Sequence, residues 1–255
     1  MKALITGASS GIGYSMAKYL SSLGYDLILV ARNKEKLQQI QKELKTDVKI
    51  IVADLAQESK LKDLYVLCKN DNIDILINNA GFGLFGNFNS TDLSREMNMV
   101  DVNIKAVHIL TKLFLKDMVK RKSGHILNVS SSASFQAGPL MATYYASKAY
   151  VTRLSVAINE ELRREKAGVH ISCLCPGPVK TNFNDVADVE FAMKGLDSDY
   201  VAKYAIDKMF KNKVIIVPGI KMKLAIFFNR FVSNKFAAKV IYNFQKRKEK
   251  KKNKE

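Results

Sequence analysis

Short, almost continuously apolar runs alternate along the chain with longer segments of helical periodicity, and this alternation restricts the possible folds most strongly. The apolar runs predict strands at 3–5, 26–31, 48–53, 73–78, 125–129, 169–175 and 214–217. Helical patterns lie between them, at 12–23, 34–44, 61–69, 93–120 and 144–165. Strands that are apolar on both faces and alternate with helices form parallel sheets covered on both sides. We therefore predict an α/β fold with a doubly wound parallel sheet of about seven strands.

The length suits one large domain followed by a short arm. The 255 residues are 47% apolar and 25% charged, as in ordinary globular proteins. The strand and helix pattern fills residues 1–219. Residues 220–245 predict an amphipathic helical arm, and residues 246–255 a Lys-rich tail that we expect to be disordered.

Cysteine content and the apolar runs bear on location. Three cysteines, an odd number, favour a reducing compartment over a disulfide framework. The few apolar residues after Met1 and Lys2 are too short a run for a signal peptide, and no run reaches the roughly 18 residues of a spanning helix. We expect a cytoplasmic protein, with peripheral membrane contact as an alternative.

Positive charge is concentrated at the C-terminus. The chain carries a net charge of +17, and residues 202–255 hold sixteen basic but only three acidic residues. Such asymmetry indicates an anionic partner, either a membrane surface or a nucleic acid, or else a solvated Lys-rich tail. The arm has apolar residues at helical spacing with Lys and Arg between them. It could pack on its own subunit or a neighbour and seal a pocket, or lie on an anionic membrane.

A glycine-rich loop follows the first predicted strand. It contains Gly7, Gly11 and Gly13, and it opens the first predicted helix. Glycines there let the backbone approach a pyrophosphate, which the helix N-terminus then binds through free N–H groups. The predicted cofactor residues of this loop are Thr6, Gly7, Ser9, Ser10, Gly11, Ile12 and Gly13.

Residues at the ends of the next strands predict the rest of a dinucleotide site. Arg32 follows the second strand, where no carboxylate stands, and its guanidinium suits a 2′-phosphate, so we predict NADP(H) in preference to NAD(H). Asp54 could accept a hydrogen bond from an adenine amino group. The remaining strand-end candidates are Leu55, Asn79, Ala80 and Gly81.

Tyr144 and Lys148 stand four residues apart on a predicted helix and therefore share one face. A phenol has an ordinary pKa of about 10, which a nearby ammonium group lowers, so this pair suits general acid–base chemistry. Tyr145 has the wrong spacing for that role. Ser131 follows the fifth strand, and Asn103 lies in the long preceding helix.

These motifs together resemble the short-chain dehydrogenase/reductase family over residues 1–219. The glycine loop, the segment 78–81, the ordered set Asn103, Ser131, Tyr144 and Lys148, and the segment 176–181 carry the resemblance. It implies a Rossmann-type fold and hydride transfer between NADP(H) and a carbonyl or alcohol substrate. It also implies cofactor contacts from Pro176, Gly177, Val179 and Thr181, and from Tyr144 and Lys148.

The resemblance also implies a role for each catalytic residue. Tyr144 would be the general acid, and Ser131 would hydrogen-bond the carbonyl oxygen. Lys148 would lower the pKa of Tyr144 and bind the nicotinamide ribose, while Asn103 would hold a water that links Lys148 to solvent. The cofactor itself would supply the hydride.

Other interpretations remain open. A non-catalytic dinucleotide-binding sensor or interaction protein would be expected to lack Tyr144, Lys148 or Ser131, and all three are present. A nucleic-acid binder would use the basic C-terminus, but the sequence contains no recognised nucleic-acid module. Cys173, Cys175 and the histidines lack ligand spacing, so no metal site is predicted.

Assembly and substrate class are predicted only broadly. The helices that contain Asn103 and Tyr144 carry apolar residues beyond one stripe, which predicts a homodimer or homotetramer. The substrate pocket should be lined by residues 135–141 and by the segment between Thr181 and Lys194, whose mixed composition fits a lid. The apolar residues of these segments indicate a substrate with an apolar part.

Overall fold

The predicted parallel sheet forms the centre of the molecule. The structure is a computed structural model, and it describes residues 1–181, 183 and 195–252. Its strands are all parallel and lie in the order β3-β2-β1-β4-β5-β6-β7. They are β1 Lys2–Thr6, β2 Asp26–Ala31, β3 Val48–Val52, β4 Ile75–Asn78, β5 Gly124–Val129, β6 Val169–Leu174 and β7 Ile215–Ile216. The predicted doubly wound α/β fold is confirmed.

Helices cover both faces of the sheet. They are α1 Gly11–Ser22, α2 Lys34–Glu43, α3 Glu58–Cys68, α4 Leu93–Val100, α5 Val107–Arg121, α6 Ala142–Arg164, α7 Ser198–Met209, α8 Ile220–Asn229 and α9 Asn234–Lys252. A π-helical segment, Asp101–Ala106, joins α4 to α5, and a 3₁₀ turn spans Ser132–Phe135. Helix α9 extends into the tail that we expected to be disordered, since Lys, Arg and Glu are good helix formers.

Each central strand contributes side chains to two separate apolar cores. In β1, Ala3 and Ile5 belong to the core beneath α1 and α7, whereas Leu4 belongs to the core beneath α3 and α5. All three are fully buried. Successive side chains of a strand point to opposite faces, so a strand buried on both faces must be apolar throughout. This requirement explains why the strands appear as continuous apolar runs in the sequence.

The strand order reverses next to β1. Strand β1 pairs with β2 on one side and with β4 on the other, so the connections leaving β1 and β4 cover opposite faces. In open sheets of this kind a crevice forms beyond the carboxyl ends of the strands at the reversal. The glycine loop and Asn79 follow those two strands and therefore meet at this crevice.

The long helices bury much of their apolar surface within the chain. Val107, Leu110, Phe114 and Val151, apolar residues of the helices from which an oligomer was predicted, are buried in the chain's own cores. Along the same helices Tyr150 and Val156 are exposed. The homodimer or homotetramer stays a prediction. Its contact surface would have to use exposed residues such as Tyr150 and Val156.

A histidine pair near the amino edge of the sheet couples folding to pH. The His125 ring stacks on His170, with centroids 5.8 Å apart, and meets the Phe210 ring edge-on. Its Nδ1 atom is buried without a hydrogen-bond partner among the described residues. Burial, and secondarily the nearby His170, lowers the pKa of His125.

We predict that acidification destabilises the fold through His125. A folded-state pKa below the unfolded value means that the unfolded chain binds the proton more tightly. Stability is therefore fully present above the ordinary histidine pKa of about 6.5 and is lost as the pH falls below it. Urea unfolding at several pH values should show a smaller change with pH for His125→Phe than for the wild type. Parallel pH profiles for the two proteins would contradict this assignment.

Candidate functional site

A cleft of about 1250 Å³ opens at the carboxyl edge of the sheet. Most of the predicted site residues line it: Gly7, Ser9, Ser10, Gly11, Ile12, Arg32, Asp54, Leu55, Asn79, Ala80, Gly81, Ser131, Tyr144, Lys148, Pro176, Gly177, Val179 and Thr181. Thr6, Gly13 and Asn103 do not line it. The fold thus brings together residues from six strand ends that are far apart in sequence.

The glycine loop forms a narrow cradle at one end of the cleft. Gly7 and Gly11 have positive φ angles of 64° and 54°, which side chains rarely adopt. A Cβ atom on Gly7 would lie 2.8 Å from Ala80 Cα. The Ser10 side chain makes no capping hydrogen bond to the first N–H groups of α1, and Ser10, Gly11 and Ile12 line the cleft. Such a cradle fits the pyrophosphate of a dinucleotide.

Thr6 and Gly13 shape this cradle from behind. Thr6 Oγ1 accepts hydrogen bonds from the backbone N–H groups of Asn79 and Ala80, at 3.0 and 3.1 Å. Asn79 Nδ2 donates to the carbonyl oxygens of Thr6 and Gly7, both at 3.0 Å. A Cβ atom on Gly13 would lie 2.4 Å from the carbonyl oxygen of Gly7. Both residues therefore hold the loop against the end of β4.

Arg32 and Asp54 lie along the same cleft at the ends of β2 and β3. Arg32 is exposed, so its guanidinium is available to an anionic group. Asp54 Oδ1 accepts a hydrogen bond from the Ala56 N–H at 3.1 Å and stabilises its own turn. This contact uses part of the acceptor capacity of the Asp54 carboxylate, which was predicted to accept a hydrogen bond from an adenine amino group.

Tyr144 and Lys148 project from α6 into the buried part of the cleft. Tyr144 is 8% exposed and Lys148 is 4% exposed. Lys148 Nζ donates a hydrogen bond to the carbonyl oxygen of Val129 at 2.9 Å and lies 5.9 Å from the centroid of the Tyr144 ring. The Tyr144 ring also contacts Phe183, at 5.4 Å between centroids.

The sequence predicts that Lys148 lowers the pKa of Tyr144, and in the structure burial prevails instead. Burial raises the pKa of Tyr144 to about 12, although a hydrogen bond with Ser131 acts in the opposite direction. Burial likewise lowers the pKa of Lys148 to about 8. Removing water disfavours the charged form of each group. This effect of burial on the two pKa values outweighs the electrostatic interaction between Lys148 Nζ and the Tyr144 ring, which lie 5.9 Å apart. Tyr144 therefore retains its proton at neutral pH.

Asn103 lies behind the site, within the π-helical segment. Its Nδ2 donates to the Phe82 carbonyl at 2.9 Å and to Ser147 Oγ at 3.1 Å, and its Oδ1 accepts from the Phe82 N–H at 3.1 Å. Ser147 Oγ in turn donates to the Tyr144 carbonyl at 2.7 Å. A Cβ atom on Gly81 would lie 2.9 Å from Asn103 Oδ1 and 3.2 Å from Lys148 Nζ. Asn103 thus joins the Phe82 loop to α6 through hydrogen bonds.

Two hydroxyl groups that we did not single out from the sequence also support the site. Ser130 Oγ donates to the Lys148 carbonyl at 2.8 Å, and Thr152 Oγ1 donates to Ser130 Oγ at 2.8 Å. They fix α6 against the end of β5. Ser130 is adjacent to Ser131 at the end of β5, so its position in the sequence could have indicated a part in the site. No sequence pattern around Thr152 indicates such a part.

Helices α8 and α9, the C-terminal arm, form the outer wall of the cleft. Asn229 Nδ2 donates to the Phe135 carbonyl at 2.9 Å, and Gln245 Nε2 donates to Tyr145 Oη at 3.1 Å. The arm thus packs on its own chain. Its cleft-lining side chains are Met222, Ala225, Ile226, Phe228, Asn229, Val232, Phe236, Ala237, Val240, Ile241, Phe244 and Gln245.

The other expected pocket walls are partly described. Phe135, Gln136 and Met141 line the cleft, as expected of the segment 135–141. From the expected lid, Phe183 lines the cleft, while residues 182 and 184–194 lie outside the described residues.

Cysteine and histidine side chains do not form a metal centre in the described part of the chain. Cys173 and Cys175 are buried, with sulfur atoms 3.8 Å apart, and both belong to the core around Val107 and Val151. Among residues 1–181, 183 and 195–252, no three His, Cys, Asp or Glu side chains are grouped as metal ligands would be.

Comparison with known proteins identifies relatives of most of the sheet region. The family model described as short chain dehydrogenase matches residues 1–189. An oxidoreductase of uncharacterised function from Staphylococcus epidermidis is 35% identical over 188 residues, which cover 73% of this chain and 81% of the relative.

Solved structures show the same architecture. A short-chain dehydrogenase from Sphingobium yanoikuyae in complex with NADPH has a TM-score of 0.81 and 28% identity, covering 86% of this chain and 88% of that one. A bulky-bulky ketone specific alcohol dehydrogenase from Comamonas testosteroni has a TM-score of 0.77 and 27% identity, covering 90% and 91%. Structures of this fold include complexes with NADPH and with NAD, so the fold alone does not select the cofactor.

Proposed function

This chain belongs to the short-chain dehydrogenase/reductase family, and we propose that it is an NADP(H)-dependent oxidoreductase acting on a carbonyl or alcohol with a large apolar part. The observation that carries the proposal is the shared cleft. Tyr144, Ser131 and Lys148 face the same space as the glycine cradle of α1. The cradle could hold a dinucleotide, and Tyr144, Ser131 and Lys148 line the same cleft.

Tyr144 acts in this proposal as the proton donor for the substrate oxygen. A nicotinamide dinucleotide, when bound, supplies the hydride. Ser131 hydrogen-bonds the substrate oxygen beside the tyrosine. As Tyr144 gives up its proton, negative charge develops on its oxygen, and the Lys148 ammonium group stabilises that charge. The hydrogen bond from Lys148 to the Val129 carbonyl holds the ammonium group in place.

The apolar lining of the cleft supports the substrate class. Phenylalanine rings contributed by the core domain and by the arm line the same cleft as Tyr144. They are Phe82, Phe135, Phe183, Phe228, Phe236 and Phe244. Binding sites of this composition orient apolar ligands through a small number of polar groups, here Tyr144 and Ser131.

We predict that kcat/KM for carbonyl reduction falls above about pH 8. The pKa of Lys148 is about 8, so its ammonium group is present below that pH and lost above it. Since kcat/KM reports groups of the free enzyme, it should fall about tenfold per pH unit beyond that point. Lys148→Met should react more slowly and show no inflection near pH 8. A wild-type rate that stays constant to about pH 10 would refute the assignment.

We predict different effects at the two adjacent tyrosines. The Tyr145 hydroxyl is bound to Gln245 of the arm, whereas Tyr144 hydrogen-bonds with Ser131. Tyr144→Phe should lower kcat by about 10²–10⁴-fold, because it removes a general acid, and should leave cofactor binding nearly unchanged. Tyr145→Phe is the matched control and should retain most of the activity. The reverse result would show that Tyr145 is the acid.

The cofactor preference rests on Arg32. It is the exposed cation at the end of β2 that lines the cleft, and a guanidinium binds phosphate oxygens through paired N–H groups. NADP carries a 2′-phosphate at the ribose that NAD lacks. We therefore propose that Arg32 selects NADP(H) over NAD(H).

Binding measurements on an Arg32 variant test this preference. Arg32→Ala should weaken NADPH binding by about 1.5–3 kcal/mol, the range for a charge-assisted hydrogen bond, and leave NADH binding almost unchanged. Lys34→Ala is a suitable control, because Lys34 is an exposed cation nearby that does not line the cleft. Equal wild-type affinity for the two cofactors, or equal weakening of both, would exclude this role of Arg32.

A further inference from the structure

The C-terminal arm exposes an apolar surface that no part of the described chain covers. Between 37% and 77% of each contributing residue is exposed to solvent. We name this surface the arm face and define it by Ile220, Leu224, Phe227, Phe228, Phe231, Val232, Phe236 and Val240. Phe231, the most exposed of them at 77%, stacks edge-on against Phe227, with centroids 5.5 Å apart. A contiguous apolar patch of this kind is unusual on a surface that only water contacts.

The arm face continues into the cleft. Phe228, Val232, Phe236 and Val240 are exposed and also line the cleft. They form a rim between the solvent side of the arm and the space beside Tyr144. A molecule that covered the arm face would therefore meet the mouth of the cleft.

Contacts on the opposite side keep the arm in place. Asn229 and Gln245 make the hydrogen bonds to Phe135 and Tyr145 described above, and Ala237 is buried between them. The arm binds the core domain through these polar and small residues and through Met222 and Ile226, which pack against a buried core cluster. The arm-face residues stay exposed. Contact with its own chain leaves the arm face free.

The charge of the arm indicates what covers this face. Between residues 220 and 246 there are six basic residues and no acidic one: Lys221, Lys223, Arg230, Lys235, Lys239 and Lys246. Over residues 220–255 the count is twelve basic and two acidic. A second copy of the chain would bring the same positive charge to the contact. A nucleic acid would meet aliphatic residues such as Ile220, Leu224 and Val240, which cannot stack on bases.

We propose that the arm face docks on the surface of an anionic lipid bilayer. Apolar side chains between Lys and Arg residues are the pattern of helices that lie in a membrane interface, with the aromatic groups among the acyl chains and the cations near the headgroups. Docking places the mouth of the cleft at the lipid surface. If the proposed reductase function holds, a lipophilic carbonyl substrate enters directly from the bilayer, which deepens that function.

Vesicle binding tests the docking without reference to catalysis. The full chain should co-sediment with vesicles of phosphatidylcholine and phosphatidylglycerol, and about tenfold less with phosphatidylcholine alone or at high salt. Leu224→Ser with Phe231→Ser should weaken vesicle binding about tenfold, since these exposed residues do not line the cleft. Lys235→Glu with Lys239→Glu should do the same through charge.

A matched variant controls for general effects of lost surface apolarity. Val66 and Leu67 on α3 are also exposed apolar residues, at 69% and 57%, and lie outside the cleft lining. Val66→Ser with Leu67→Ser should leave vesicle binding within about twofold of the wild type. Equal weakening by this control would overturn the proposal. So would no binding to anionic vesicles at low salt, tighter binding to duplex DNA than to vesicles, or self-association that the Leu224 and Phe231 substitutions abolish.

Activity assays separate substrate entry from docking. A small water-soluble ketone and a long-chain ketone carried in anionic vesicles serve as substrates with NADPH. The Leu224 and Phe231 variant should match the wild type on the soluble ketone and react about tenfold more slowly with the vesicle-borne one. If the variant matched the wild type on both ketones, entry of the substrate from the bilayer would be overturned. Vesicle binding without reduction of either ketone would support the docking and count against the proposed function.

Discussion

A buried chain of hydrogen bonds joins the sheet to α6, the helix that carries Tyr144 and Lys148. Asn78 Nδ2 donates to Asn128 Oδ1 at 2.9 Å and to Thr111 Oγ1 at 3.0 Å, and Asn128 Nδ2 donates to Ser155 Oγ at 3.0 Å. These bonds join β4, β5, α5 and α6 inside an apolar interior, where a polar group without a partner destabilises the fold. The position of α6 relative to the sheet is therefore restricted, and with it the position of Tyr144 and Lys148.

Burial then gives those two groups their chemical character. The same close packing that holds α6 excludes water from the tyrosine and the lysine, so the neutral form of each is favoured. In the proposed reaction, Tyr144 keeps its proton until the substrate oxygen accepts it, and Lys148, with a pKa of about 8, stabilises the charge that remains. The site depends on the packing of the helix as much as on the identity of the residues.

The C-terminal arm connects this interior to the outside. Its inner side carries Gln245 and Asn229, which hydrogen-bond the walls of the cleft, and its outer side carries exposed phenylalanines. In the described part of the chain, no helix is long and apolar enough to cross a bilayer. A helix pair that is apolar on its outer side and basic around it can nevertheless lie along a membrane surface. The arm thus forms the outer wall of the cleft and, in the proposed docking, lies on the membrane surface.

The sequence by itself determined the fold class, because strands buried on both faces must be continuously apolar and glycines are needed where the backbone turns with positive φ. It also predicted which residues would meet at the cleft, since parallel strands end at one edge of the sheet. The pKa values of Tyr144 and Lys148 were decided only by the tertiary structure, since burial depends on residues from many segments. The supporting roles of Thr6, Gly13 and Asn103, and the attachment of the arm through Gln245, likewise rest on contacts between residues distant in sequence. Local sequence patterns do not show which distant residues come into contact.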